Sequence, residues 1–257
     1  MNNETLYSIP DSIRDAIAAG ALVVANNSGG KDSQAMLLKL RKLVPADQLL
    51  VIHAILPGVE WAGTEEHARA ISEGLTYITV QAGKTFFDMV RSRGFWPSPK
   101  YRQCTSDLKR GPIEKAIRHA LKGRANQTVI NCMGLRAQES SARAKTCGQP
   151  VKKSERNSKA GRNWIEWLPI ADWTKDDVIL EVKKAGQQLH WAYAHVSRLS
   201  CAFCIMASKA DLQAAARLNP EMFAQYVALE QEIGQSFVMP VKGQAPRFLP
   251  EVLGVAV

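Results

Sequence analysis

The chain has 257 residues, of which 46% are hydrophobic and 22% charged, and its formal net charge is +9 at pH 7. This composition is typical of a globular protein with a sizeable core and excludes a disordered or fibrous chain. The N-terminus carries no export signal and no apolar run reaches the ~18 residues of a membrane span, so we expect a cytoplasmic protein with no membrane partner. The positive charge favours acidic partners, including nucleotides, sulfate esters and nucleic acid.

The first elements have the order helix, strand, turn, helix, strand. Residues 11–19 have the pattern of a short helix that Gly20 ends, and residues 21–25 form an apolar run typical of a buried strand. After a Gly-containing turn, residues 33–43 carry apolar side chains at helical spacing, and residues 49–56 are a second apolar run of strand length.

The alternation continues to about residue 184. The further predicted elements are a helix near 65–72, a strand over 76–80, a helix opened by Pro112 and ended by Gly123, strands over 128–133 and 164–170, and a helix over 175–184 capped by Thr174. Such alternation predicts an α/β fold with a doubly wound, mostly parallel sheet. Residues 1–190 are expected to form the nucleotide-binding α/β domain, and residues 191–257 a C-terminal extension that is irregular and then helical over about 210–234.

The segment 135–163 interrupts this pattern, because it has neither strand nor helix periodicity. Between Arg136 and Arg162 it carries eight basic residues against two acidic ones, a local excess of six positive charges. We expect a long basic loop, and structureless loops of this length in compact domains are usually lids or binding loops.

The turn after the first strand has the composition of a phosphate loop. It lies between a strand and a helix, where backbone amides and the helix dipole converge on an anion. Two glycines allow close approach of the backbone, two serines offer hydroxyls and a lysine adds charge; these are Gly29, Gly30, Ser28, Ser33 and Lys31. A Walker loop would have Gly at the position of Ala25 and Ser or Thr at the position of Asp32, so this is another kind of phosphate loop.

Further candidates follow other strands. Gly134 ends the strand 128–133 and should lie at the carboxyl edge of the sheet, where open α/β sheets bind ligands. Arg136 and Arg143 are expected to meet the same anion. By the same topology, His53 at the end of the second strand is expected to face the adenine.

Lys109 directly precedes the helix that Pro112 is predicted to open. The free N–H groups and the dipole of a helix N-terminus favour anions. We therefore expect Lys109 to lie in a second anion-binding position.

The cysteines are candidates for chemistry, because five thiols in a chain without an export signal are a poor disulfide framework. Cys201-x-x-Cys204 can be a redox dithiol, half of a zinc site or two ligands of an iron–sulfur cluster, and the spacing leaves these alternatives open. His190 and His195 are the nearest alternative zinc ligands. Cys132 lies in a predicted strand and is expected to be an inert buried thiol.

The pattern Ser-Gly-Gly-x-Asp-Ser of residues 28–33 resembles the loop of the PP-loop ATP pyrophosphatase superfamily, which cleaves ATP between its α and β phosphates. Three further segments are similar to the phosphoadenosine phosphosulfate (PAPS) reductase-like branch, which includes sulfonucleotide reductases and the sulfur-inserting enzyme of DNA phosphorothioation. They are Arg102–Pro112, Gly134–Arg143 and Arg198–Cys204. The resemblance spans about residues 20–235.

This resemblance implies an adenine nucleotide alpha-hydrolase-like fold. It also implies ATP, or adenylyl sulfate (APS) or PAPS, as the bound nucleotide, together with magnesium. The residues that it implies for catalysis are Lys31, Asp32, Lys109, Arg136 and Arg143.

The same resemblance implies a [4Fe-4S] cluster. Many relatives place one cysteine motif before the Pro-opened helix and a Cys-x-x-Cys near the C-terminus, and Cys104, Cys201 and Cys204 match these positions. Cluster-bearing adenylyl-sulfate reductases have a Cys-Cys pair at the first position, whereas Thr105 follows Cys104 here. Either Cys147 is the fourth ligand, or the fourth iron stays open.

Sulfonucleotide reductases carry a catalytic cysteine in a C-terminal tail, whereas no cysteine follows Cys204. The favoured hypothesis is therefore an enzyme that uses ATP to activate a nucleic acid and then transfers sulfur to it, with a sulfur donor protein or a thiol reductant as a further partner. One alternative is reduction of APS or PAPS with a thiol from elsewhere. Another is a non-catalytic nucleotide- or nucleic-acid-binding module with a structural metal.

Overall fold

The computed structural model describes residues 7–240, 243 and 245–255. Their strands form one sheet with the order β3-β2-β1-β4-β6-β5. The strands are β1 (Leu22–Asn26), β2 (Leu49–Ala54), β3 (Thr76–Val80), β4 (Thr128–Cys132), β5 (Val151–Lys153) and β6 (Asn163–Trp167).

The central strands are parallel. β1 pairs in parallel with β2 and with β4, with Val24 opposite Leu50 on one side and Asn131 on the other, and β4 pairs in parallel with β6. Only β5, at one edge, pairs antiparallel among the pairings described. The prediction of a mostly parallel sheet is confirmed, and the strand order reverses between β1 and β4.

The helices are α1 (Asp11–Ala18), α2 (Lys31–Leu43), α3 (Thr64–Ala70), α4 (Phe86–Arg93), α5 (Gln103–Thr105), α6 (Gly111–Ala120), α7 (Ser141–Cys147), α8 (Lys175–Lys184), α9 (Lys209–Leu218), α10 (Pro220–Ile233) and α11 (Leu249–Leu253). Among these described residues, no helix combines the length and apolar character needed to cross a membrane.

Helices cover both faces of the sheet. In β1, Val23 and Ala25 pack with apolar residues of α1, α2 and α8, whereas Leu22 and Val24 pack with residues of α6 on the other face. Successive side chains of a strand point to opposite faces, so a strand buried on both faces reads as the continuous apolar run seen in the sequence. The doubly wound α/β fold is confirmed.

The prediction of α8 is confirmed at its N-terminus as well. The Thr174 hydroxyl accepts a hydrogen bond from the Asp177 N–H at 3.1 Å, and the Asp177 carboxylate accepts one from the Thr174 N–H at 2.8 Å. This capping box satisfies two N–H groups that the helix itself leaves without partners.

The segment 135–163 is not the structureless loop that its sequence predicts. It contains α7 and the edge strand β5, and the Ser140 side chain caps α7 by accepting a hydrogen bond from the Arg143 N–H at 3.2 Å. The prediction is wrong because α7 is mostly exposed and β5 is a three-residue strand with two lysines, so neither element has the apolar periodicity of a buried one.

The helix predicted to open at Pro112 begins earlier. Helical backbone starts at Gln103, continues through a π-helical turn over Ser106–Arg110 and runs into α6. Proline has no N–H and its ring clashes with the carbonyl four residues back, and the wider turn accommodates both restrictions. Lys109 therefore lies within helical backbone, and Cys104 lies in the first turn; the prediction that both precede the helix is wrong.

The helix predicted over 210–234 is two helices, α9 and α10. Asn219 lies between them and Pro220 begins α10. Proline cannot continue the hydrogen bonding of a preceding helix but fits the first turn of a new one, so the chain changes direction there.

The chain forms two compact units. The first comprises Met1–His53, Gly63–Val80 and Ile113–His190, and the second comprises Ala54–Ala62, Gln81–Pro112 and Trp191–Val257. The second unit therefore includes two segments from earlier in the chain as well as the predicted C-terminal extension. Its core is aromatic: Tyr226 of α10 is fully buried, stacks on Trp96 at 5.6 Å between ring centres and contacts Phe203 at 4.8 Å.

Candidate functional site

The loop over Ser28–Ser33 is a tight turn at a helix N-terminus. It follows β1 and enters α2, which begins at Lys31. Gly29 has a φ of +73°, in the left-handed region that favours glycine, and a Cβ there would lie 3.2 Å from the carbonyl oxygen of Thr64 in α3. This backbone geometry at the start of a helix is suited to bind an anion.

Asn27 fixes the loop in place. Its Oδ1 accepts a hydrogen bond from the Gly29 N–H at 2.9 Å and lies 3.2 Å from the Ser33 hydroxyl. Its Nδ2 donates to the Ala68 carbonyl at 3.0 Å and to the Ser72 hydroxyl at 3.1 Å, both on the side of α3. Asn27 is fully buried, and the sequence analysis did not identify it as a site residue. A signal was present, because asparagine side chains beside turns commonly form hydrogen bonds with the nearby backbone.

Gly134 approaches the phosphate loop more closely than a larger residue could. A Cβ at this position would lie 2.9 Å from the Asp32 carbonyl oxygen and 3.1 Å from the Ser33 nitrogen, which are backbone atoms. The loop follows β1 and Gly134 follows β4, so both lie where the strand order reverses. That position at the carboxyl ends of the strands is where open α/β sheets bind ligands.

Asp32 joins two cations beside the loop. Its Oδ1 accepts a hydrogen bond from Arg136 Nε at 2.5 Å, and its Oδ2 accepts one from Lys31 Nζ at 2.8 Å. Arg136 is 4% exposed, and its backbone N–H donates to the Glu139 carboxylate at 3.0 Å. The Arg136 guanidinium therefore holds the loop to the segment after β4, and two positive charges accompany one negative charge at this edge.

Replacing Arg136 by methionine should lower the free energy of unfolding by about 2–4 kcal/mol, because it breaks a buried ion pair and leaves Asp32 only Lys31 as a partner. The matched control is Arg143→Met: Arg143 is 27% exposed and its Nε lies 4.0 Å from Glu139. That change should cost less than about 1 kcal/mol. Urea unfolding of both variants measures the difference, and equal costs would contradict the assigned role of Arg136.

His53 is buried next to the backbone that leads into the phosphate loop. It is 1% exposed, and its Nδ1 is 2.8 Å from the backbone oxygen of Asn27. Its Nε2 is buried and makes no hydrogen bond within the described residues. His53 thus contacts the loop backbone, and its predicted approach to the adenine stays a prediction.

Three predicted cysteine ligands lie in the second unit together with Lys109. The thiols of Cys104, Cys201 and Cys204 interact electrostatically with one another and with Lys109. Burial disfavours the charged form of Lys109, but the negative charges of the three thiolates and of Glu60 outweigh it and raise the pKa of the ammonium. Glu60 had no signal in the sequence.

Burial raises the pKa of Cys201 to about 11 and also raises the pKa of Cys104. A raised pKa disfavours the thiolate form of Cys201 and Cys104, and a bound metal would displace the thiol protons. Among the described residues, no group of three or more His, Cys, Asp or Glu side chains has the arrangement of a formed metal site. The shared centre therefore stays a prediction.

The other two cysteines lie in the first unit. Cys132 is fully buried in β4, and burial raises its pKa well above the usual value. Cys147 ends α7 and packs against Leu168 and Ala171. Its role as a fourth ligand stays a prediction.

Most of the predicted nucleotide-site residues lie together in the first unit. They are Ser28, Gly29, Gly30, Lys31, Asp32, Ser33, His53, Gly134 and Arg136. Arg143 follows on α7, whereas Lys109 belongs to the second unit. Their roles in binding and catalysis stay predictions.

A family model described as the phosphoadenosine phosphosulfate reductase domain matches residues 22–205. The chain belongs to this family, and it has the family's nucleotide-binding type of fold. A relative is the uncharacterized 37.8 kDa protein in the gpa 5' region of Escherichia phage 186, which is 31% identical over 169 residues. That match covers 65% of this chain and 48% of the relative, so the chain spans about half the length of the curated relative.

Matches among solved structures include the PAPS reductase of Candida auris in a phosphate complex, at 14% identity and a TM-score of 0.46, covering 75% of this chain and 87% of that one. The U34-tRNA thiolase NcsA of Methanococcus maripaludis with its [4Fe-4S] cluster matches at 13% identity and a TM-score of 0.46, covering 98% and 88%. The FMN adenylyltransferase of Candida glabrata matches at 11% identity and a TM-score of 0.47, covering 77% and 69%.

Proposed function

We propose that this chain is a PP-loop enzyme that binds ATP at Ser28–Ser33, cleaves it between the α and β phosphates and supports sulfur transfer to a nucleic acid. The observation that carries the proposal is the tight glycine turn at the N-terminus of α2, which Asn27 fixes and Gly134 approaches. Membership of the PAPS reductase domain family supports a nucleotide as the ligand.

In the proposed reaction, an oxygen of the acceptor attacks the α phosphorus of ATP. The bond from that phosphorus to the bridging oxygen breaks, pyrophosphate leaves and the acceptor becomes adenylylated. The amides of residues 30–33 and Lys31 would stabilise the negative charge of the leaving pyrophosphate, because donors that the fold holds in place need little reorganisation as charge develops. Arg136 acts through Asp32 and keeps the loop in position.

Magnesium does not fit Asp32 as the residue is placed. Both oxygens of its carboxylate already accept hydrogen bonds from cations, Arg136 at 2.5 Å and Lys31 at 2.8 Å. Magnesium prefers free carboxylate oxygens and water.

An iron–sulfur cluster fits the chemistry of the donors in the second unit. Cys104, Cys201 and Cys204 offer three soft thiol ligands, and Lys109 supplies a positive charge against the negative charge of bound thiolates. When bound, such a cluster would carry the sulfur for transfer. The residues of the chain would hold the cluster and balance its charge.

A nucleic-acid acceptor is supported by the charge of the segment 135–163. Arg156 pairs with Glu114, and Lys152 pairs with Glu166 at 3.1 Å. Three exposed lysines of this segment form no ion pair within the described residues; they are Lys145, Lys153 and Lys159. They leave positive charge available for phosphates.

Removing these three lysines together should weaken the salt dependence of nucleic-acid binding. Each phosphate contact contributes a slope of about 0.9 to the plot of log affinity against log salt for duplex DNA, so the triple alanine variant should have a slope that is smaller by about 2–3. The matched control replaces Lys122, Lys183 and Lys184, which are also exposed. Equal slopes in both variants, or no binding to DNA or RNA, would count against a nucleic-acid acceptor.

Reduction of APS or PAPS is a second candidate, which the description of the matching family favours. The test incubates the anaerobically purified protein with ATP and nucleic acid, or with PAPS and a thiol reductant. Pyrophosphate from ATP supports sulfur transfer, and sulfite from PAPS supports reduction. Absence of both products would support a non-catalytic binding module instead.

A further inference from the structure

A cavity of about 410 Å³ lies in the first unit, and no residue of the phosphate loop lines it. Its walls are mostly apolar and include Ala144, Trp167, Leu168 and Ala171. Its polar lining includes Lys39. Volumes of a few hundred Å³ with apolar walls and few polar groups are typical of small-molecule sites.

Lys39 is a buried lysine whose ammonium group forms no direct ion pair among the described residues. It belongs to α2, is 2% exposed and donates one hydrogen bond, to the Pro169 carbonyl oxygen at 2.8 Å. Its Nζ lies 5.6 Å from the centre of the Trp173 ring. Within the described residues it forms no ion pair and no second hydrogen bond, although an ammonium group has three N–H donors.

A buried charge is costly unless it is paired and hydrogen-bonded. Burial lowers the pKa of Lys39, and the negative charge of Asp172, which also lines the cavity, opposes this only in part. The ammonium therefore lacks the partner that its position requires, and the cavity beside it has room for one.

We propose that this cavity binds a small organic carboxylate with an apolar body. The carboxylate would accept the free N–H groups of Lys39, and the apolar body would pack against Trp167, Leu168 and Ala144. A carboxylate suits this site better than a phosphate or sulfate dianion, because Asp172 also lines the cavity and repels each negative charge that enters it. The inference is independent of the proposed nucleotide function, because the phosphate loop contributes nothing to the cavity.

The test is a calorimetric titration of the full chain with 3-phenylpropanoate and with its neutral amide. We expect the carboxylate to bind at least tenfold more tightly than the amide, because a hydrogen bond between a buried ammonium and a carboxylate is stronger than one between the ammonium and a neutral amide. In Lys39→Met, the affinity for the carboxylate should fall at least tenfold, to the level of the amide.

Two further variants locate the site. Lys183→Met removes an equal charge from α8 at an exposed position outside the cavity and should leave the affinity unchanged. Ala144→Trp fills the cavity from α7 without changing charge and should abolish binding. Unchanged affinity in folded Lys39→Met or in Ala144→Trp, or no binding to the unaltered chain, would overturn the proposal; thermal unfolding confirms that each variant is folded.

Discussion

Gly134→Ala is expected to fold and to bind ATP about 10- to 100-fold more weakly than the unaltered chain, a loss of about 1.4–2.7 kcal/mol. The added Cβ would lie 2.9 Å from the Asp32 carbonyl oxygen; the Cβ has no freedom to rotate away, and its neighbour is a backbone atom. The loop must therefore move by several tenths of an ångström. Its amides would then no longer point at the phosphates.

Gly83→Ala is the matched control, because nothing lies within 4 Å of a Cβ at Gly83. Calorimetric titration with ATP should give the affinity of the unaltered chain for this control. If folded Gly134→Ala also binds ATP with unaltered affinity, ATP binding does not depend on the position of the loop, and the proposed site is wrong.

The second large effect is expected in the second unit. Serine at any one of Cys104, Cys201 or Cys204 should lower the iron content after anaerobic reconstitution from about four atoms per chain to less than about one. The reason is that the thiolates hold the cluster together, so the loss of one ligand releases the whole cluster. All three variants should also lose the visible absorption of the cluster. Iron analysis and absorbance spectra measure both effects.

Cys132→Ala is the control, because Cys132 is fully buried in β4 of the first unit and should not affect iron. Cys147→Ser tests whether Cys147 is the fourth ligand. An unchanged iron content would favour a cluster whose fourth iron has no protein ligand. Zinc instead of iron in the unaltered protein, lost in the same three variants, would contradict the cluster and support a structural metal site.

The sequence predicted the doubly wound sheet because buried parallel strands are apolar on both faces. The run over 21–25 has no polar residue and the run over 49–56 has only His53, and both became strands that pair with each other in the sheet. The sequence also predicted α8, because its Thr174 cap is a local feature that needs no tertiary contact.

Predictions failed where the sequence has no local signal, or where contacts between distant residues determine the structure of a segment. β5 is held by β6 rather than by its own apolar residues, and the π-turn before α6 follows from a conflict between helical hydrogen bonding and Pro112. The sequence predicted the phosphate loop itself, because glycine, serine and lysine between a strand and a helix are suited to bind an anion. The support by Asn27 and the pairing of Asp32 with Arg136 depend on residues brought together by folding.

A crystal structure with an ATP analogue that cannot be cleaved between the α and β phosphates tests the central proposal most directly. We expect its phosphates within hydrogen-bonding distance of the backbone amides of residues 30–33, with Gly134 beside the loop and Arg136 still bonded to Asp32. An analogue bound elsewhere on the chain, with no phosphate contact to these amides, would contradict the account.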